Sequence, residues 1–464
     1  MRQRVRAMAV VAALGLVSGV LGSIPASAGH GADDHTKNIK ELARLPIKIG
    51  DANGLGSDLA FQGNLVIAGS YQGTAFYRIH KGKPYIEQIG LHACPGSQGD
   101  VTVWGDLLFV SIDSASSNNG DSSVCNNTGA TGPGDKKSKS SVGLEGVRIV
   151  DISNPSRPQQ VGFVETDCGS HTHTLVPKKG ELYMYVTSYP LSGQGPSCNH
   201  VSHRKFSIIK IDQKNPAKSD VIGLDAGFLP PDTIGCHDFT YYPGRNLAIG
   251  ACLGVWLTLD VKNPAKPKIL SQTRNPLIEL DHSSAITWDG KIALIGDEHA
   301  GAAGGGGCSP DSESTVGAMW FYDISGKKVK SPELLSHHSL PRVPPFDDRF
   351  EAERFRCTTH NFNVLPMKNS KKYIAVSSYY MGGLAAIDFS DPENPKEIGH
   401  YLPLEGGTSP DMWSAYWYNG RIYTNEHQSA KGVSVYELKG TTSRKDVRFF
   451  KGNTNPQTQI EKFK

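Results

Sequence analysis

The chain has 464 residues, 38% hydrophobic and 20% charged, with 51 Gly, 28 Pro and 8 Cys. An ordinary charged fraction excludes a disordered chain, and beyond the N-terminus no apolar run is long enough for a membrane-spanning helix. Abundant Gly and Pro without a collagen period point to a turn-rich β protein.

Residues 1–28 read as a secretory signal: Arg2, Arg4 and Arg6 precede an apolar stretch from Ala7 to Leu21, and Ala26-Ser27-Ala28 forms a small-residue cleavage site. The expected product is cleaved after Ala28 and secreted, with a polar C-terminus and no lipid-anchor cysteine. Loss of the three signal arginines leaves 45 basic and 45 acidic residues, so a nucleic-acid partner is not expected.

One unit then recurs through the chain: an alternating strand, a Gly- or Pro-centred turn, and a second apolar strand. It occurs at 58–73, 100–113, 171–190, 237–254, 282–301, 360–383 and 412–432. A third apolar strand follows, usually ending in Asp, then an Asp/Asn-Pro turn that Pro enforces by fixing φ and lacking a donor. A short fourth strand completes the unit. Seven such units predict an all-β fold, a seven-bladed β-propeller of four-stranded blades over 45–450, which closes radially and leaves few sheet edges. Residues 29–44 and 451–464 are assigned as tails. Two segments, 45–50 and 447–450, compete to close the last blade.

The carriers LVIAG (65–69), VRIVDISNPSRP (147–158), LTLDVKNPAKP (257–267) and AAIDFSDPENP (385–395) resemble the LVIVD-repeat family of secreted propellers. The resemblance implies fold and export, and no reaction.

Aligning the repeats on their turns puts His171, His237, His282 and His360 at the start of four successive inner strands. Met412, preceded by Asp411, takes the column in the last unit, with Leu55 and Ser97 in the first two. His173 lies two residues beyond His171, on the same side of its strand. Inner strands of a propeller line its channel, so these imidazoles should gather at one mouth. Second-strand ends return to that face and bring Glu298-His299 and Glu426-His427, with Tyr71, Tyr189 and Tyr379 at comparable places. Imidazoles suit Cu, Zn, Fe or Ni, and nearby carboxylates can orient them. The pattern is similar, more distantly, to the selenium-binding protein/methanethiol oxidase propellers, sharing only the theme of inner-strand histidines.

All eight cysteines follow the signal, which predicts disulfides. Local pairing on the histidine face gives Cys94–Cys125, Cys168–Cys198, Cys236–Cys252 and Cys308–Cys357; thiolate ligation by Cys236 or Cys357 is the rival reading. These pairs tie Ser/Gly-rich loops at 113–142, 189–204 and 300–316 to that face. The segment 347–357 carries Arg349, Arg354 and Arg356 just before His360, as an anion clamp or a solvated loop. No nucleophile elbow, Walker loop or HExxH helix is present.

Two functions remain. In one, a transition metal is held by His171, His237, His282 and His360, with His173, His299 and His427 as further ligands and Glu298, Glu426 and Asp238 as acid/base or supporting groups, acting on a small extracellular molecule at the mouth. In the other, the loop face of a monomeric, non-catalytic scaffold recognises an extracellular partner.

Overall fold

The segment from Asp238 to Thr273 shows how one repeat becomes a blade. Four strands, Asp238–Tyr242, Leu247–Ala251, Trp256–Asp260 and Lys268–Thr273, pair antiparallel in sequence order. The first two strands are buried along their whole length. Phe239 and Tyr241 face the preceding blade's Val176 and Tyr185, while Ile249 and Trp256 face the next blade's Ile286 and Ile295. The strands therefore read as near-continuous apolar runs, because both faces of an inner strand are covered.

Seven such blades form the molecule, a computed structural model describing residues 33–96, 98–113, 145–190, 202–224, 229–230, 233–299, 306–308, 312–342, 344, 356–369, 371–404, 410–427, 431–440 and 445–459. The inner strands, in order, are Gly56–Gln62, Val101–Trp104, Thr172–Lys178, Asp238–Tyr242, Asp281–Ile286, Phe362–Val364 and Met412–Tyr418. The fold class is the one expected. Residues 1–28, the expected signal, lie outside the described residues. Among the described residues no helix is long and apolar enough to cross a membrane.

The Asp that ends the third strand has a local task. Its carboxylate accepts the backbone N–H two residues on, at Asp151, Asp212, Asp260, Asp323 and Asp388, over 2.8–3.0 Å. This Asx turn leads into the outer strand. Pairing of third with fourth strand slips by one residue in every blade, as between Thr258 and Leu259 or Ala386 and Ile387. Such a bulge increases local twist.

Neither segment expected to close the ring does so. The outer strand of the last blade is Ile39–Leu45, paired with Val433–Leu438. The assigned N-terminal tail thus contains the closure strand. Of the competitors, Lys48–Ile49 pairs with Ala52–Asn53 in a small hairpin, and Val447 bridges Met367. Closure by the N-terminus couples the two ends of the chain, and Ile39 is 1% exposed.

The C-terminal segment, assigned as a tail, enters the channel. Asn453–Thr454 pairs with Gln62 and Phe61 on the inner side of the first blade. Asn455 then accepts from Val103 N at 2.8 Å, Gln457 O accepts from Tyr241 N at 2.8 Å, and Thr458 donates to Leu175 O at 2.8 Å. Gln459 reaches Ile286 O at 2.5 Å. These partners lie at the far ends of the inner strands, so the segment lines the end of the channel opposite the histidines.

Candidate functional site: a histidine ring at one mouth of the channel

Each inner strand begins at the same mouth, and hydrogen bonds between blades set the positions level. Thr172 Oγ1 donates to His237 O at 2.6 Å, Ser283 Oγ to His360 O, and Ser414 Oγ to Ser57 O at 2.8 Å. The residue before each hydroxyl is therefore one layer of the channel: His171, His237, His282, His360, Trp413 and Ser57, with Gly99 between Ser57 and His171. Trp413 and Ser57 take the places expected for Met412 and Leu55, because pairing slips between Met412 and Ser414 and between Gly56 and Leu59. Ser97 lies outside the described residues.

The four expected imidazoles do meet. His171 and His237 bring their Nε2 atoms to 2.9 Å, the rings of His237 and His282 lie 3.6 Å apart, and those of His282 and His360 lie 4.2 Å apart. All four are nearly buried, at 1–5% exposure. Glu298 joins them, 3.5 Å from His282 Nε2 and 4.0 Å from His360 Nε2. His282, Glu298 and His360 offer ligand atoms within 4.8 Å of one another.

Two imidazoles have their tautomers set from behind. His171 Nδ1 lies 2.6 Å from Asp113 Oδ2, so Nδ1–H donates there and Nε2 keeps its lone pair. His360 Nδ1 donates to Trp413 O at 2.5 Å, leaving Nε2 bare. Carboxylates and carbonyls behind a ring are the usual orienting partners of metal-bound histidine. His237 Nδ1, His282 Nδ1 and His360 Nε2 are buried with no hydrogen-bond partner. Burial and neighbouring imidazoles hold His237 and His360 well below their ordinary range; burial, against the pull of Glu298, takes His282 to about 4. These three rings are thus neutral at pH 7, the state a metal requires.

Above the ring sits a collar that the sequence only partly predicts. Tyr380 donates to Glu298, and Tyr189 OH lies 3.3 Å from His171 Nε2. Arg356 stacks 3.9 Å over the Tyr380 ring, 3.8 Å from Glu298 and 3.7 Å from Asp411. It is an internal partner of carboxylates. Arg349 and Arg354 lie outside the described residues. Tyr380, at φ +46°, takes the place expected for Tyr379, which is buried among Leu340, Phe389 and Tyr373. Burial drives the Asp411 carboxyl up to about 7, against Arg356 and with help from Glu426.

The other expected ligands sit elsewhere. His173 points down the cleft towards the preceding blade, where Thr102 and Ser111 hold its two nitrogens at 2.7 Å and Asp100 lies at 3.0 Å. His299, at φ +48°, turns out to Glu279 at 2.7 Å. His427 packs between Tyr71 and Trp413, with ring separations of 4.8 and 5.0 Å. Glu426 accepts from Asp411 N at 2.8 Å, one place removed from the imidazoles. Asp238 accepts from Phe239 N at 2.7 Å in the layer below. Of the expected acid/base groups, Glu298 alone touches the ring. Asp113, Trp413 and Tyr380 went unread: Asp113 ends a second strand just as Glu298 follows one, and that shared position was the available signal.

Disulfides join Cys236 to Cys252 and Cys308 to Cys357, as expected, so these sulfurs are not thiolate ligands. Cys94 and Cys168 are also disulfide-bonded, and their expected partners, Cys125 and Cys198, lie outside the described residues. Asp167, Cys168 and His203 cluster as well, but the disulfide removes the thiolate and Asp167 pairs with Lys205. Five blades share the Asp turn after the third strand. The molecule is a seven-bladed propeller that carries LVIVD repeats. The LVIVD repeat matches residues 142–166 and 372–402. No curated protein matches the chain. Among solved structures, the periplasmic gluconolactonase of Pseudomonas aeruginosa aligns with 13% identity and a TM-score of 0.47, over 86% of this chain and 100% of that one. The LVIVD motif carries the turn chemistry and leaves the histidine ring unassigned.

Proposed function

We propose that this LVIVD-repeat propeller binds one transition metal ion at its channel mouth, through His171, His237, His282 and His360 with Glu298. The supporting observation is a set of converging buried imidazoles, three with a nitrogen that has no partner. An unpartnered buried polar atom is costly, and a metal bound there would remove that cost. A nitrogen-rich set with one carboxylate suits Zn, Cu, Fe or Ni and disfavours Ca or Mg. Bound there, the ion would supply Lewis-acid or redox chemistry to a small molecule entering past Tyr189, Tyr380 and Arg356. Asp113 and Trp413 O act as positioning groups, and Glu298 is the one carboxylate placed to ligate or move a proton.

The disulfides fit an oxidising compartment. Together with residues 1–28, they support secretion with cleavage after Ala28; a monomer that meets a small molecule at the channel mouth belongs to the same proposal.

The test is elemental analysis of the secreted, oxidised protein after reconstitution with each metal. The wild type should hold about one ion per chain, and H282A/H360A should hold none. Asp113→Asn should weaken affinity about 10- to 100-fold while leaving the fold intact. A correctly oxidised wild type that takes up none of the four metals overturns the reading.

A further inference from the structure

Directly beneath the histidines, the next residue of each inner strand forms a second layer of different chemistry: Asp58, Asp100, Thr172, Asp238, Ser283, Asn361 and Ser414. Where the upper layer offers nitrogen, this one offers oxygen. Asp58, Asp100 and Asp238 are 2–5% exposed and line one cavity with Asn361 and Gln457, and His237 and His360 of the layer above form its upper rim. The cavity has room for about one water-sized sphere. It therefore suits a single ion and no organic ligand.

The carboxylates have few cationic neighbours. Asp100 faces His173 at 3.0 Å. Asp58 accepts from Tyr416, from Asn361 Nδ2 at 3.5 Å and from Gln457 Nε2 at 3.4 Å. Asp238 accepts from Phe239 N and, at 3.4 Å, from Thr172 Oγ1.

A second observation is independent of the acids. Gln457 belongs to the C-terminal segment threaded into the channel, is 6% exposed, and lines the same cavity. Its Nε2 meets Asp58, while its Oε1 is buried without a hydrogen-bond partner. A neutral amide oxygen left bare beside carboxylates is what a cation would satisfy.

We propose that this layer binds one calcium ion through the carboxylates of Asp58, Asp100 and Asp238 and the amide oxygen of Gln457. Oxygen donors and a high carboxylate count select a hard cation. The ion would tie blades 1, 2 and 4 to the C-terminal segment, beneath the transition-metal layer and chemically distinct from it. Histidines above and the C-terminal segment below enclose it, so exchange is slow and loading accompanies folding.

The test uses the full mature chain with its disulfides intact. It is unfolded in guanidinium with EDTA, refolded with or without millimolar CaCl2, and gel-filtered into metal-free buffer before calcium analysis. Protein secreted into calcium-containing medium and never unfolded is measured beside it. The expected result is about one calcium per chain in the wild type. Retention should fall at least about tenfold in both D58N and Q457L, as charge and ligand count are lost. H171A/H282A, which changes no residue lining the cavity, should lose transition metal and keep calcium, which separates failure of this inference from failure of the upper site. Natively folded wild type without calcium, by both routes, overturns the proposal. So does equal calcium in wild type and Q457L, the variant least exposed to misfolding.

Discussion

His427 shows why a histidine beside the ring need not be a candidate ligand. Its ring is clasped by Tyr71 and Trp413, its Nδ1 has no partner, and burial together with Arg356 takes it from near 6.5 to about 4. A folded-state value below the unfolded one means that its stabilising contribution is fully present above about pH 6.5 and is lost as pH falls towards 4. That contribution is at most about 3 kcal/mol, and partial exposure trims it. His427→Phe keeps the aromatic packing and forfeits the ring's bond to the Gly56 backbone, about 1 kcal/mol. The variant should thus unfold slightly below wild type at pH 7.5 and above it at pH 4.5, in thermal scans across that window, with metal content unchanged. A constant offset across the window would rule out the buried neutral ring. The same geometry explains what sequence reasoning saw of the site. His171 and His173 do share a side of their strand, as alternation requires, for both face the preceding blade. Alternation gives the side and says nothing of height. Two residues down the strand, His173 has left the mouth for a cleft where Thr102 and Ser111 wait.

At the scale of elements, the blades were legible because each repeats one apolar pattern and five share one Asp turn, and four histidines fell in register for the same reason. Register failed where a bulge adds a residue: Trp413 displaces Met412 from the ring, and Ser57 displaces Leu55. Closure failed for a different cause. The strand Ile39–Leu45 alternates charged and apolar residues weakly, and its pattern emerges only against Val433–Leu438, almost 400 residues away. That pairing makes a specific demand. A chain beginning at Gly29 keeps the closure strand, whereas one beginning at Pro46 leaves the edge of Val433–Leu438 open and uncovers Val435 and Tyr436. Open, apolar edges recruit other chains. The shorter chain should aggregate or lose its cooperative transition in calorimetry and size-exclusion chromatography, while the longer one should run as a single species and unfold cooperatively. Equal behaviour would mean that closure contributes little.

On the scale of the whole molecule, the two ends of the channel have been given to different parts of the chain. Inner-strand starts build the nitrogen layer at one mouth, and the last residues fill the other end, reaching across the first five blades. No repeat encodes that segment, which is why its polar sequence reads as a tail: its Asn, Thr and Gln side chains serve as partners for inner-strand backbone. Ending the chain at Gly452 removes these partners and leaves the N-terminal closure intact. Each lost bond should cost roughly 1 kcal/mol, so the truncated protein should fold with a lowered melting temperature. Val103 N and Tyr241 N, which donate to Asn455 and Gln457, should lose protection in hydrogen-exchange mass spectrometry, with the loss confined to peptides over 101–104 and 238–242 and to the first blade's 56–62, which loses its pairing with Asn453–Thr454. The histidine layer, anchored by Asp113 and Trp413 at the opposite mouth, should still take up the transition metal proposed for it. If truncation instead abolished metal uptake without unfolding the blades, the two ends would be coupled through the aspartate layer between them, and the channel would act as one site.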